Sequence, residues 1–151
     1  MELLIEERTV GLSEMTSILD DRFEDNKKIL DFSDVIILPA LVRSEGDLLN
    51  PLTPDIRVIL SENNLKVNVA VKEPHKYLGL YDADIILPCL LIVLPHIVPI
   101  IHGIIANYIF EHVRHDATVT YEETIIDGEK VSRKKITGPG KEVADMLRSM
   151  R

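Results

Sequence analysis

The stretch Glu-His-Val-Arg-His-Asp, residues 111 to 116, sets His112 and His115 three positions apart with Asp116 beside them. On a helix, that spacing presents two imidazoles to one side, where a divalent metal takes nitrogen and carboxylate ligands. His112, His115 and Asp116 are therefore the metal-ligand candidates of this chain. A histidine near a helix C-terminus also complements the negative end of the helix dipole with no ligand present. The second role needs fewer coincidences and is the favoured one.

Other residues with chemical potential meet similar tests. Cys89 is the single cysteine, flanked by Pro88 and Leu90. It excludes an intramolecular disulfide and a thiolate metal cluster, and it suits a buried thiol in a reducing, cytoplasmic setting. His102 falls among apolar neighbours, the position of a hydrogen-bonded core histidine. The acidic run Asp20, Asp21, Glu24 and Asp25 reads as a solvated helix face. Gly138-Pro139-Gly140-Lys141 resembles an anion-holding loop, but a P-loop requires Ser or Thr after the lysine, and Glu142 follows here. A strand-to-helix turn is expected there instead. There is no serine-nucleophile motif, paired-carboxylate signature, dinucleotide glycine pattern or zinc motif. No catalytic residue is assigned, and neither a cofactor nor a cofactor site is implied.

The basic cluster Arg133, Lys134 and Lys135 raises the question of nucleic acid. Seventeen basic against 25 acidic residues give a net charge of -8, which opposes general phosphate-backbone binding. The cluster also has its complement nearby. A hairpin turning at Asp127-Gly128 places Glu122 opposite Arg133, so pairing across the two strands is expected and nucleic acid is not.

These residues must be carried by elements, and the apolar pattern predicts which. At 151 residues, with 46% apolar and 5% aromatic side chains, the chain suits one α+β domain with an Ile, Leu and Val core. Residues 2 to 8 read as a short strand. Their composition lacks the basic start and long apolar run of a secretory signal. Ser13 is placed to cap one helix running through Leu30, and "SDVIILPALV" reads as a buried strand stopped by Pro39. The segment "DIRVILSENNLKVNVAVK" alternates apolar and polar residues about Asn63-Asn64. It is predicted to form a hairpin with Leu60 facing Val67, Val58 facing Val69 and Ile56 facing Val71. A closing helix follows Gly140, with Val143, Met146, Leu147 and Met150 inward. The blocks "FSDVIILPAL" and "YDADIILPCL" echo one another, and two similar buried strands account for the echo.

Residues 85 to 110 contain no Asp, Glu, Lys or Arg. That is long enough for a bilayer span of roughly 20 residues, yet Pro88, Pro95 and Pro99 interrupt it. A helical projection from residue 94 to 114 gathers His96, Gly103, Asn107, Glu111 and Arg114 in one stripe. Leu94, Ile97, Ile101, Ile104, Ile105, Tyr108 and Ile109 cover the opposite face. A buried strand leading into a central core helix is expected, in preference to a membrane anchor over residues 85–110. The resulting expectation is antiparallel hairpins packed on a long apolar helix with flanking amphipathic helices. Such a helix calls for cover on most of its circumference. That points to an acidic, cytoplasmic, non-enzymatic interaction or assembly protein, oligomeric or partnered through its Ile-rich helix. A membrane-associated protein and a small metal-dependent enzyme at His112, His115 and Asp116 are the alternatives.

Overall fold

Alternate side chains of the strand Val35–Ile37 enter two different cores. Val35 and Ile37 join Ile56, Leu60, Ile101, Ile105 and Leu147, whereas Ile36 joins Met15, Leu19 and Leu91. A strand buried on both faces must lie inside a layered α/β/α arrangement, and its unbroken apolar run is the sequence mark of that position. In a computed structural model, residues 3–79 and 84–150 are described.

The elements in order are β1 (Leu4–Val10), α1 (Leu12–Asp20), α2 (Asn26–Phe32), β2 (Val35–Ile37), β3 (Leu48–Leu49), α3 (Thr53–Glu62), β4 (Val67–Val69) and β5 (Lys76–Tyr77). There follow β6 (Ile85–Ile86), β7 (Leu90–Ile92), a 3-10 turn at Pro95–Ile97, α4 (Val98–His112), β8 (Thr118–Asp127), β9 (Lys130–Pro139) and α5 (Gly140–Ser149). Seven strands make one mixed sheet in the order β1-β9-β8-β7-β2-β4, with β6 beside β7 along the same edge of β8. The β2–β4, β6–β8 and β7–β8 pairs are parallel; β1–β9, β8–β9 and β2–β7 are antiparallel. Helices α3, α4 and α5 contribute to the core on one face, and α1 and α2 to that on the other. A separate two-stranded parallel ribbon joins β3 to β5.

The expected mixture of helix and sheet is present, but the sheet is mixed and is not the set of antiparallel hairpins expected. Residues 53–62 are the helix α3, and β4 pairs in parallel with β2 instead of folding back on residues 55–60. Ile56 and Leu60 are spaced for a strand face and equally for one helix turn, and both are fully buried. Val58 separates the two patterns: a strand would bury it with them, yet it is 54% exposed. Thr53-Pro54-Asp55 supplies what tips the balance, since proline suits a first helical turn and an acidic residue there meets the positive dipole end. Asn64, at φ 64°, ends the helix in a left-handed conformation. A parallel β2–β4 pair needs a crossover, and α3 is that crossover.

Three further expectations change in detail. The helix predicted from Ser13 is two helices. Gly11 holds the N-cap position of α1, and Asp25 starts α2 by accepting a hydrogen bond from the Lys28 N–H at 3.1 Å. The hairpin of β8 and β9 forms, but its two loop residues are Gly128 and Glu129, with Gly128 at φ 64°. Glu122 therefore lies opposite Lys135, and Arg133 reaches Glu122 along the diagonal at 2.7 Å. The apolar stretch does run from strand into helix, with Pro88 dividing the strand into β6 and β7. Of the echoed block, residues 81–83 lie outside the described residues, as do Glu2 of the first predicted strand and Arg151 of the closing segment. Ile85 and Ile86 are not buried as Ile36 and Ile37 are.

Helix α4 shows the predicted division. Ile101, Ile104, Ile105, Tyr108 and Ile109 are buried, while His96 before it, Asn107 and Glu111 on it, and Arg114 beyond it are exposed. Leu94 is exposed, in contrast to its predicted place on the apolar face. The buried face packs with the sheet and α5 in one core. On its other side Ile100 and Phe110 remain 52% and 49% exposed. Among the described residues no helix is long and apolar enough to cross a membrane.

Candidate functional site

Helix α3 turns Ile56 and Leu60 inward, so its outer side presents Pro54, Arg57, Val58, Ser61 and Glu62, with Thr53 buried at its first turn. This outer side forms one wall of a groove of about 640 Å³. Leu49 of β3 and Tyr77 of β5 contribute a second wall, and Val69, Val71 and His75 complete it. The groove runs the length of α3, from Thr53 to Glu62, and passes Val69 and Val71 at the carboxyl end of β4.

Each polar group has a traceable setting. Asn50 is buried and shapes the entry to α3: its side chain donates to the Ile86 carbonyl at 2.7 Å and accepts from the Leu52 N–H at 2.9 Å. Thr53 follows, 3% exposed, and its hydroxyl has no hydrogen-bond partner among the described residues. Arg57 stands one turn further on and has no ion-pair partner among the described residues. On the facing wall, His75 Nδ1 meets the Glu73 carboxylate at 2.7 Å, and its ring lies edge-on to Tyr77 with centroids 5.8 Å apart. That contact orients the imidazole and leaves Nε2 outside it. Among the described residues no serine, threonine or cysteine hydrogen-bonds His75. Gly46, at φ +126°, lies so close to the Pro74 carbonyl that a Cβ would overlap it. The segment carrying His75 and Tyr77 rests on that glycine.

A second polar cluster is enclosed. His102 Nε2 lies 2.8 Å from both oxygens of Glu123, its Nδ1 lies 3.1 Å from the Met150 carbonyl oxygen, and Tyr121 donates to Glu123 at 3.1 Å. Burial, and then the Glu123 charge, push the Tyr121 hydroxyl well above its ordinary pKa. His102 is thus the satisfied core histidine expected of it. Strand alternation along β8 sends Glu122 outward and Glu123 inward. A third cluster joins Arg22 to Asp47, with side chains 1% and 0% exposed. Asp47 also accepts from the Lys72 N–H at 2.7 Å.

The predicted metal ligands are not brought together. Helix α4 ends at His112, so His115 lies beyond it and the shared helix face does not arise. His112 stacks on Tyr108, His115 packs against Phe110, and Asp116 pairs with Arg114 at 3.2 Å. Among the described residues no three His, Cys, Asp or Glu side chains form a group able to hold a metal. Cys89 is half-buried, and burial pushes its thiol up to about 11 against the opposing charge of Arg133.

Compared with protein-family models, with curated proteins and with solved structures, the chain matches none of them. Function is therefore argued from the groove itself. Its residues escaped the sequence pattern because α3 reads there as a strand. The Thr-Pro-Asp opening of α3 was the one signal that placed Thr53 and Arg57 on a common helix face.

Proposed function

We propose that this is a non-enzymatic binding protein whose groove between α3 and the β3–β5 ribbon takes a small, largely apolar molecule carrying one acidic group. The observation that supports it is the placement in one mostly apolar groove of Arg57, which has no ion-pair partner among the described residues, one helical turn from Thr53. A groove of about 640 Å³ falls within the span of roughly 300–1,000 Å³ that small-ligand sites occupy. Arg57 supplies a planar, paired donor for a carboxylate. Thr53 lies beside the groove with a buried hydroxyl that has no hydrogen-bond partner among the described residues. The apolar side chains Leu49, Val58, Val69 and Val71 supply the rest of the contact. The lone, half-buried thiol supports a reducing, cytoplasmic setting for this activity.

The test uses anilinonaphthalene sulfonate, an aromatic anion, as the probe, with octanoate as competitor. Saturable fluorescence displaced by octanoate is expected. Arg57→Gln should weaken binding about tenfold, the loss of one charge-assisted contact of about 1.4 kcal/mol. Val58→Asp should abolish it, and Phe110→Ser, far along the chain on α4, should leave it unchanged. Probe binding that is indifferent to both groove substitutions removes the assignment.

A further inference from the structure

Strand β1 closes one side of the seven-stranded sheet, and among the described residues no strand pairs with its outer edge. Six of its seven residues are exposed. Monomeric proteins shield such edges with proline, a bulge, extreme shortness or a covering element. Strand β1 has no proline or glycine, and its register with β9 runs without a bulge from Leu4 opposite Thr137 to Val10 opposite Val131. Only its charges remain as a shield, and their order is the informative feature.

A two-fold axis perpendicular to a sheet extends it by antiparallel pairing of an edge strand with its own copy. Directly opposed side chains must share a face, so the axis passes through a residue and not between two. Pairing the whole of β1 puts Glu7 on the axis. Glu6 then faces Arg8 of the second copy, Arg8 faces Glu6, and Leu4 faces Val10. Within one chain, Arg8 lies directly opposite Arg133, a like-charge pair. Arg133 is already satisfied by Glu122 at 2.7 Å, while Arg8 has no ion-pair partner among the described residues. Self-pairing supplies Arg8 with the carboxylate it lacks. It also covers Leu4, exposed at 54%. The two axial Glu7 carboxylates repel, but each has its own Lys134 amine at 3.3 Å.

We propose that the β1 edge is a homodimer interface, joining two copies into one continuous sheet through the register centred on Glu7. This surface is separate from the groove and from α4, so the ligand reading stands or falls independently. Sedimentation of the full chain at micromolar concentration should show a dimer. Glu6→Arg and Arg8→Glu, each placing like charges across the axis, should each weaken association about tenfold or more. The double exchange should restore it, which a general loss of folding cannot do. In a Cys89→Ser background, Glu7→Cys should form an intermolecular disulfide on mild oxidation, because directly opposed Cβ atoms lie about 4.5–5.5 Å apart and need only a small approach to the roughly 3.5–4.5 Å a disulfide spans. Thr9→Cys, facing Ile5 of the second copy, should not. A monomeric parent protein overturns the proposal, whether the edge stays bare or receives a foreign strand. So does a dimer untouched by either charge reversal and not cross-linked through position 7.

Discussion

The two ends of the sheet handle charge in opposite ways. At the parallel end, β2 and β4 are three residues long, and β2 is sealed on both faces. The neighbouring Arg22–Asp47 pair is almost wholly withdrawn from solvent. At the antiparallel end, β8 and β9 run for ten residues and β1 for seven, and the pairs there are only partly covered, Arg133 and Glu122 at 34% and 23% exposure. Both kinds of pair join a guanidinium to a carboxylate at a similar distance. Their surroundings, and not their chemistry, set what each contributes. A buried guanidinium left alone has neither water nor a counter-ion, whereas an exposed one is rehydrated.

The contrast is sharpest when a single carboxylate is removed at each end. Asp47→Ala strips Arg22 of both its side-chain acceptor oxygens and frees the Lys72 N–H. A loss of about 3–5 kcal/mol is expected in urea unfolding. A loss below about 1 kcal/mol would mean that water reaches Arg22 and that the parallel end is not sealed.

Cys89 tests the middle of the sheet, on the approach to β7. With its thiol held near 11 against an ordinary value of 9.0, alkylation by iodoacetamide at pH 8 should run about a hundredfold slower than for a free thiol. The sign follows from linkage. The fold favours the protonated thiol, so this contribution to stability is complete below about pH 9 and is lost as pH rises toward about 11. Alkylation at the rate of a small peptide would show Cys89 to be open.

The smallest effect belongs to the antiparallel end. Glu122→Ala should cost under about 1 kcal/mol and lose most of that cost at high salt, since the pair is partly solvated. A cost matching that of Asp47→Ala would erase the distinction between the ends.

The same division governs how much could be read in advance. The β8–β9 hairpin is legible because long alternating strands meet at Asp-Gly, a local turn chemistry. Its register slips by one loop position because Gly128 opens the turn instead of completing it. The β2–α3–β4 unit is not legible by alternation alone, because Ile56, Val58 and Leu60 satisfy two periodicities at once. Only tertiary burial of Ile56 and Leu60, with Val58 left outside, chooses between them. Helix α4 was legible from its polar stripe, while its cover by the sheet and α5 was not, because that depends on segments distant in sequence. The groove failed for both reasons. Its walls come from four separate stretches, and the principal one was misassigned.

Gly46 bears on how far this sequence can drift while keeping the shape of the groove. It does not line the groove and carries no functional group, yet the Pro74 carbonyl occupies the space where a side chain would begin. His75 and Tyr77 line the groove themselves, and a change at either alters what the wall presents. Position 46 acts differently. Any replacement displaces the wall, and a survey confined to the groove's own contacts would overlook the residue on which their spacing depends.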